Sequence, residues 1–143
     1  MPDLDRAVPA DAPALTALVH ASSAYAGAYA SILDGYSVTP EYVAAHHVFL
    51  ARSPAGPLGF AALAGAELDL LFVADAAQGT GLGARLVARV LDEARALGLP
   101  AVRVVAHPPA AGFYERMGAR RTGTVPPRPP RVTWERPELM FGL

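Results

Sequence analysis

The 143-residue chain contains no cysteine, and its twelve basic residues are all arginine. Without cysteine it has no disulfide framework, no thiol nucleophile of its own and no thiolate metal site. Without lysine, and with thirteen carboxylates giving a formal net charge of −1, it has no extended basic field to hold nucleic acid. No apolar run approaches the roughly 18 residues of a membrane span. The opening MPDLDRAVPADAP carries charges and prolines where a secretion signal needs an apolar core. Four histidines remain as metal ligands, but His46 and His47 are adjacent and point to different faces of any element, so no metal site is expected. Charged residues are few, 17% against 52% hydrophobic. The balance points to a single packed cytoplasmic domain over residues 1–143 that buries about two thirds of its unfolded surface.

Glycine, by contrast, is concentrated where it costs most. Leu82, Leu86, Val87, Val90, Leu91, Ala94 and Leu97 recur at helical spacing, Arg85, Arg89, Asp92, Glu93 and Arg95 take the other face, and Gly98 and Pro100 stop the helix. Gly79, Gly81 and Gly83 stand at its start, although each costs up to about 1 kcal/mol relative to alanine inside a helix. They suit a backbone that closely approaches a ligand. A helix N-terminus presents unpaired N–H groups and about half a positive charge, so a phosphate is the expected ligand.

Two readings of the glycines compete. Gly79-Thr80-Gly81-Leu82-Gly83-Ala84 satisfies the dinucleotide fingerprint G-x-G-x-x-A, but the five residues Ala74 to Gln78 separate it from the preceding apolar strand. The stretch from Pro100 to Gly112 also lacks the carboxylate such a site needs for its ribose. Read instead as Gln78-Gly79-Thr80-Gly81-Leu82-Gly83, the stretch gives Q-x-x-G-x-G. That pattern resembles the acyl-CoA pyrophosphate loop of the GNAT superfamily of N-acetyltransferases. The segment Ala110 to Ala119 (AAGFYERMGA) resembles a second motif of the same superfamily, in the correct order, and the resemblance covers residues 67–124.

Around this centre the chain reads as follows. Asp3 to Val8 forms an edge strand; Asp11 caps a first helix ending near Ser22 or Ser23; Ala24 to Tyr36 reads as a second helix stopped at Gly35, with Tyr25 and Tyr29 one turn apart. Thr39 and Pro40 begin a short helix. His47 to Arg52 and Leu58 to Ala64 pair as a hairpin, and Gly65 turns the chain into the strand Glu67 to Val73. Ala101 to Ala106 follows the long helix, so a right-handed crossover lays it parallel to that strand. A short helix ends at Met117, residues 125–131 form a proline-stiffened loop, and a strand near Glu138 to Gly142 closes the sheet. The resemblance implies an α/β (α+β) GNAT fold: a mixed sheet of about six or seven strands, splayed between two parallel strands and flanked by about four helices.

The resemblance also implies an activity and a site. Acetyl would pass from acetyl-CoA to a primary amine on a small molecule, peptide or protein; the alternative is a noncatalytic acyl-CoA-binding sensor or interaction module. No nucleic acid, membrane or metal is expected to take part, and a homodimer is compatible with the family. Backbone N–H groups of Gln78, Gly79, Thr80, Gly81, Leu82, Gly83 and Ala84 would cradle the pyrophosphate. Main-chain groups of Leu71, Phe72 and Val73 would receive the pantetheine arm, with Leu71 holding the thioester carbonyl. Tyr114 would face the sulfur as general acid, giving a basic limb above about pH 9 for a phenol of ordinary pKa. Glu67 matches the usual position of a catalytic base; Asp69 or water could serve instead. His107, often Asn in relatives, would hold pantetheine, assist proton transfer or cap the following helix. The acceptor's charge stays open, since carboxylates near the cleft favour a cation while Arg128, Arg131 and Arg136 suit an anion.

Overall fold

Alternating apolar residues build seven strands: β1 (Leu4–Arg6), β2 (His47–Ser53), β3 (Gly56–Ala64), β4 (Glu67–Val73), β5 (Ala101–Val105), β6 (Arg120–Val125) and β7 (Arg136–Gly142). The computed structural model describes residues 3–25 and 27–143, with the side chains of all of these except residues 24 and 28. The strands form one sheet in the order β1-β2-β3-β4-β5-β7-β6, in which β4 and β5 are parallel and the other neighbours antiparallel. Four helices flank it: α1 (Ala12–Ala21), α2 (Pro40–Ala45), α3 (Leu82–Ala96) and α4 (Ala111–Arg116). None of the described helices is long and apolar enough to cross a membrane.

Each face of the sheet has its own core. Leu82, Leu86, Val87, Val90, Leu91 and Ala94 of α3 pack with Phe49, Ala61, Leu63, Leu68, Val102 and Leu139, and Tyr114 of α4 joins them. On the other face Leu15, Leu18 and Val19 of α1 and Val43 of α2 cover Val48, Leu50, Phe60, Ala62 and Phe72. This second core contains no residue of β5, β6 or β7. The described apolar residues of α1 and α2 thus pack on the β2–β4 part of that face.

Several expectations change. The segment after α1 is not an α-helix: Ser23–Tyr25 and Gly27–Leu33 are 3-10 turns, and Ala26 lies outside the described residues. Gly27 takes a left-handed φ of 62°, which a continuous right-handed helix does not accommodate. Asp11 does not cap α1 with its side chain; its carboxylate accepts the Val8 N–H at 2.9 Å and a forked pair of bonds from Arg52. Thr39 does cap α2, accepting the Tyr42 N–H at 3.0 Å. Leu97, assigned to the buried stripe of α3, is 49% exposed because the helix ends one residue earlier. The last strand does not form the sheet's edge: β7 inserts between β5 and β6, and the edge is β6, a strand the sequence did not suggest.

Candidate active site

The site begins with a failure of pairing. β4 and β5 share a single registered pair, Glu67 with Arg103, together with the bond from Arg103 N–H to Ala66 C=O (2.8 Å). Beyond that point the two strands diverge. Which β4 groups face the gap follows from its other neighbour. Ala74 donates its N–H to Leu58 (2.8 Å), and Phe72 and Leu70 continue the same register opposite Phe60 and Ala62. Residues 70, 72 and 74 thus turn their backbone groups toward β3, while Leu71 and Val73 turn theirs into the gap. Phe72 is corrected: its main chain is committed to β3, and its ring lies in the α1-side core, 5.8 Å from Phe60 and 5.6 Å from Tyr25.

A bulge complicates the same strand. Ala62 pairs with Leu70 and Leu63 with Leu68, leaving Asp69 as the extra residue. Side-chain alternation therefore resets. Leu68, Leu71 and Val73 face α3, whereas Leu70 and Phe72 face α1. Simple alternation from Glu67 through Asp69 to Leu71 and Val73 would put all four on one face, and this one inserted residue breaks it. Asp69 instead accepts a short hydrogen bond from the Tyr42 hydroxyl.

The divergence opens a cavity of about 1020 Å³. Its lining includes Glu67, Leu71, Phe72, Val73, Gln78, Gly79, Gly81, Leu82, Gly83, Ala84, His107 and Tyr114, and it also takes in Tyr25, Tyr36, Asp69, Arg103, Arg128 and Arg136. Thr80 is absent from that lining, because its hydroxyl turns back to donate to the Ala77 carbonyl. The N–H of Gln78 is likewise committed, donating to Asp75 C=O at 3.3 Å. The remaining loop fits an anion well. Gly79 and Gly81 hold φ values of 78° and 85°, and a Cβ at either position would stand in open space. Arg85 N–H to Gly81 C=O (3.1 Å) is the first bond of α3, so Leu82, Gly83 and Ala84 have N–H groups with no intrahelical acceptor. A Cβ on Gly83 would reach 3.6 Å from the Phe113 ring and 3.7 Å from Val73, at the wall of the cavity. These free donors, the absent side chains and the open β4 backbone together suit a diphosphate linked to an extended amide arm.

Tyr114 is 7% exposed, with edge-on contacts to Phe113 (5.2 Å) and Phe141 (6.4 Å). Its hydroxyl has no hydrogen bond among the described residues, and burial, with Tyr25 second, raises its pKa well above the phenol range. The His107 ring lies 4.2 Å from Tyr25 and 5.9 Å from Tyr29. Burial pushes Tyr25 up to about 12 against the opposing charge of Arg136, and pushes Tyr36 up to about 12 with help from Asp69 and Tyr25. Glu67 pairs with Arg103 at 3.2 Å, yet its carboxyl is raised above its usual value because burial outweighs that cation. Arg103 is held from its other side by Glu138 at 2.7 Å.

The sequence names Arg128 and Arg136, with Arg131, as groups suited to an anion, but does not single out Arg103. Arg103 carried a visible signal, a lone charge in the otherwise apolar run AVRVV. Arg136 and Arg128 reach the cavity only through the insertion of β7 beside β5. Arg131 does not line it.

Comparison with known proteins accords with this geometry. The acetyltransferase (GNAT) domain model matches residues 37–126, and the chain belongs to that family. It resembles the blasticidin-S acetyltransferase of Streptomyces morookaense, at 41% identity over 69 residues, 47% of this chain. The match spans about half (51%) of that relative's length. Among solved structures, a GCN5-related N-acetyltransferase from Rhodopseudomonas palustris superimposes with a TM-score of 0.83 at 24% identity, covering 100% of this chain and 96% of that one. A phosphinothricin acetyltransferase from Sinorhizobium meliloti, in complex with acetyl-CoA, gives 0.73 at 18% identity, with 99% and 88% covered.

Proposed function

We propose that this protein is a cytoplasmic N-acetyltransferase that moves the acetyl group of acetyl-CoA to a primary amine. The observation that carries the reading is the coincidence, in one cavity, of a glycine-lined helix N-terminus with an unpaired strand edge. One binds a diphosphate and the other an amide-bearing arm, and acetyl-CoA joins the two. The family assignment and the acetyltransferase relatives support the same activity.

The chain's own groups divide the work. N–H groups of Gly79, Gly81, Leu82, Gly83 and Ala84 hold the pyrophosphate, while the open main chain of Leu71 and Val73 aligns the pantetheine arm. One N–H there stabilises charge developing on the thioester oxygen. Glu67, raised by burial, accepts a proton from the incoming ammonium directly or through water. The amine nitrogen bonds the acetyl carbon, the C–S bond breaks, Tyr114 gives a proton to the departing sulfur, and the second proton lost by the nitrogen returns through water to the Tyr114 oxygen. The products are one amide and one free thiol.

The test is acetyl-CoA-dependent thiol release across a panel of small-molecule amines and peptide N-termini, with the acetylated product identified by mass. Tight acetyl-CoA binding with no release for any amine would favour the noncatalytic acyl-CoA-binding module.

A further inference from the structure

We infer that the acceptor amine bears an anionic oxyacid group, a carboxylate in the first instance, and that Arg128 and Arg136 hold this group on the α1 face of the cleft. The inference rests on the acetyl-transfer reading and names the substrate class for it.

The strands decide which face these arginines occupy. Val102 and Val104 of β5 and Leu139 and Phe141 of β7 point into the α3-side core. Arg103, Arg136 and Glu138 alternate with them and therefore project from the opposite face. No described residue of α1 or α2 joins these strands in a hydrophobic cluster, and this face lines the far side of the cleft, bordered by Tyr25 and Tyr36. Cofactor and acceptor can then approach from opposite sides of the splay.

Partners separate the three guanidinium groups. Arg103 is satisfied by Glu67 and Glu138. Arg136 has no acidic partner among the described residues; its Nη2 makes one long bond to Pro126 C=O (3.4 Å), and its Nε is buried without any acceptor. The Arg128 guanidinium has neither a hydrogen bond nor an ion pair among the described residues. Two unneutralised cations line one cavity, Arg128 exposed and Arg136 half-buried with its Nε shielded from solvent, and a forked oxyanion satisfies the donors they leave unused. Burial chiefly, and Arg128 and Arg103 after it, lower the pKa of Arg136, as a local excess of positive charge requires.

Arg128 is also held in place. Its N–H and C=O both bond Val132 (2.7 and 3.1 Å), Ser31 Oγ donates to Arg131 C=O (2.6 Å), and Trp134 packs edge-on against Tyr29 at 4.9 Å. The position of Arg136 along the sheet sets the reach. Val105 pairs with Glu138 and Ala106 N–H bonds Pro137 C=O (3.0 Å), so Arg136 lies level with His107 at the open end of the splay. An anion bound there sits close to the reacting amine, as in an amino acid.

Matched amines test this. L-amino acids are assayed against their C-terminal amides, and phosphoethanolamine against ethanolamine, by thiol release with acetyl-CoA. The anionic member of the productive pair should have a kcat/KM about 10-fold or more above its neutral analogue. Arg128→Gln and Arg136→Gln should each erase that ratio mainly through KM, with acetyl-CoA affinity retained, whereas Arg131→Gln should preserve it. A phosphate-bearing acceptor outperforming every carboxylate would identify the oxyacid as phosphate. Equal or better turnover of the neutral members would overturn the inference alone. If acetyl-CoA binds and no amine is turned over, acetyl transfer itself fails, and this inference with it.

Discussion

Replacing Tyr114 by Phe removes one hydroxyl that makes no hydrogen bond among the described residues. The ring keeps its contacts with Phe113 and Phe141 in the α3-side core. Because no internal hydrogen bond is lost, stability should change by no more than about 0.5 kcal/mol. If the hydroxyl protonates the departing sulfur, turnover should fall roughly 10²-fold, about 2.7 kcal/mol of barrier, while the acetyl-CoA dissociation constant stays within a factor of about two. The structure also revises the pH dependence expected for an ordinary phenol. Burial raises the Tyr114 pKa, so the acid form persists to higher pH and a basic limb from this group moves above about pH 10. Burial raises a thiol's pKa in the same direction, so the phenol and the leaving thiol shift together. Initial rates of thiol release at saturating acetyl-CoA, measured from pH 6 to 10 beside calorimetric binding, should give wild-type and variant profiles of the same shape. Their ratio should stay constant at roughly 10². Unchanged turnover, or a ratio that collapses between pH 8 and 10, would refute the assignment.

Other expectations follow from the same cavity. Gly83→Ala should fold at least as well as the parent, since its Cβ meets only ordinary contacts at 3.6 and 3.7 Å and alanine favours a helix by up to about 1 kcal/mol; its acetyl-CoA affinity, by calorimetry, should drop. Unaltered affinity would make Gly83 a packing residue only. Arg103→Gln removes the cation that opposes the burial-driven rise of the Glu67 pKa, so the acid limb of kcat/KM should move to higher pH, and in Glu67→Gln that limb should vanish. A limb indifferent to both substitutions would assign the proton to water.

The legible parts of this fold are those where one local rule acts without interference. The stripe of α3 and its glycine start, the short β4 strand and the proline-led turn of α4 are fixed by period and punctuation, and residues 67–118 were read nearly to the residue. What escaped is non-local. RRTGTV (β6) is mostly exposed, polar and interrupted by Gly123, so its periodicity is faint until β7 pairs with it. The alanine-rich stretch after α1 has good helix formers but little apolar face, and its aromatic contacts with Phe72, His107 and Trp134 override propensity. The bulge at Asp69 leaves no mark in composition, yet it decides which face every later β4 side chain occupies. The loop, Tyr114 and Glu67 are thus candidates from motif and resemblance, and Arg128 and Arg136 are named from the sequence too, but their meeting in one cavity without Arg131 needed the strand order.

Thermal unfolding with acetyl-CoA, CoA and NAD side by side tests the identity of the glycine-lined cleft most directly. Acetyl-CoA and CoA should each raise the midpoint, by the equivalent of about 2.7 kcal/mol at a concentration 100 times the dissociation constant, and NAD should leave it unmoved. A shift with NAD and none with either CoA ligand would contradict the account.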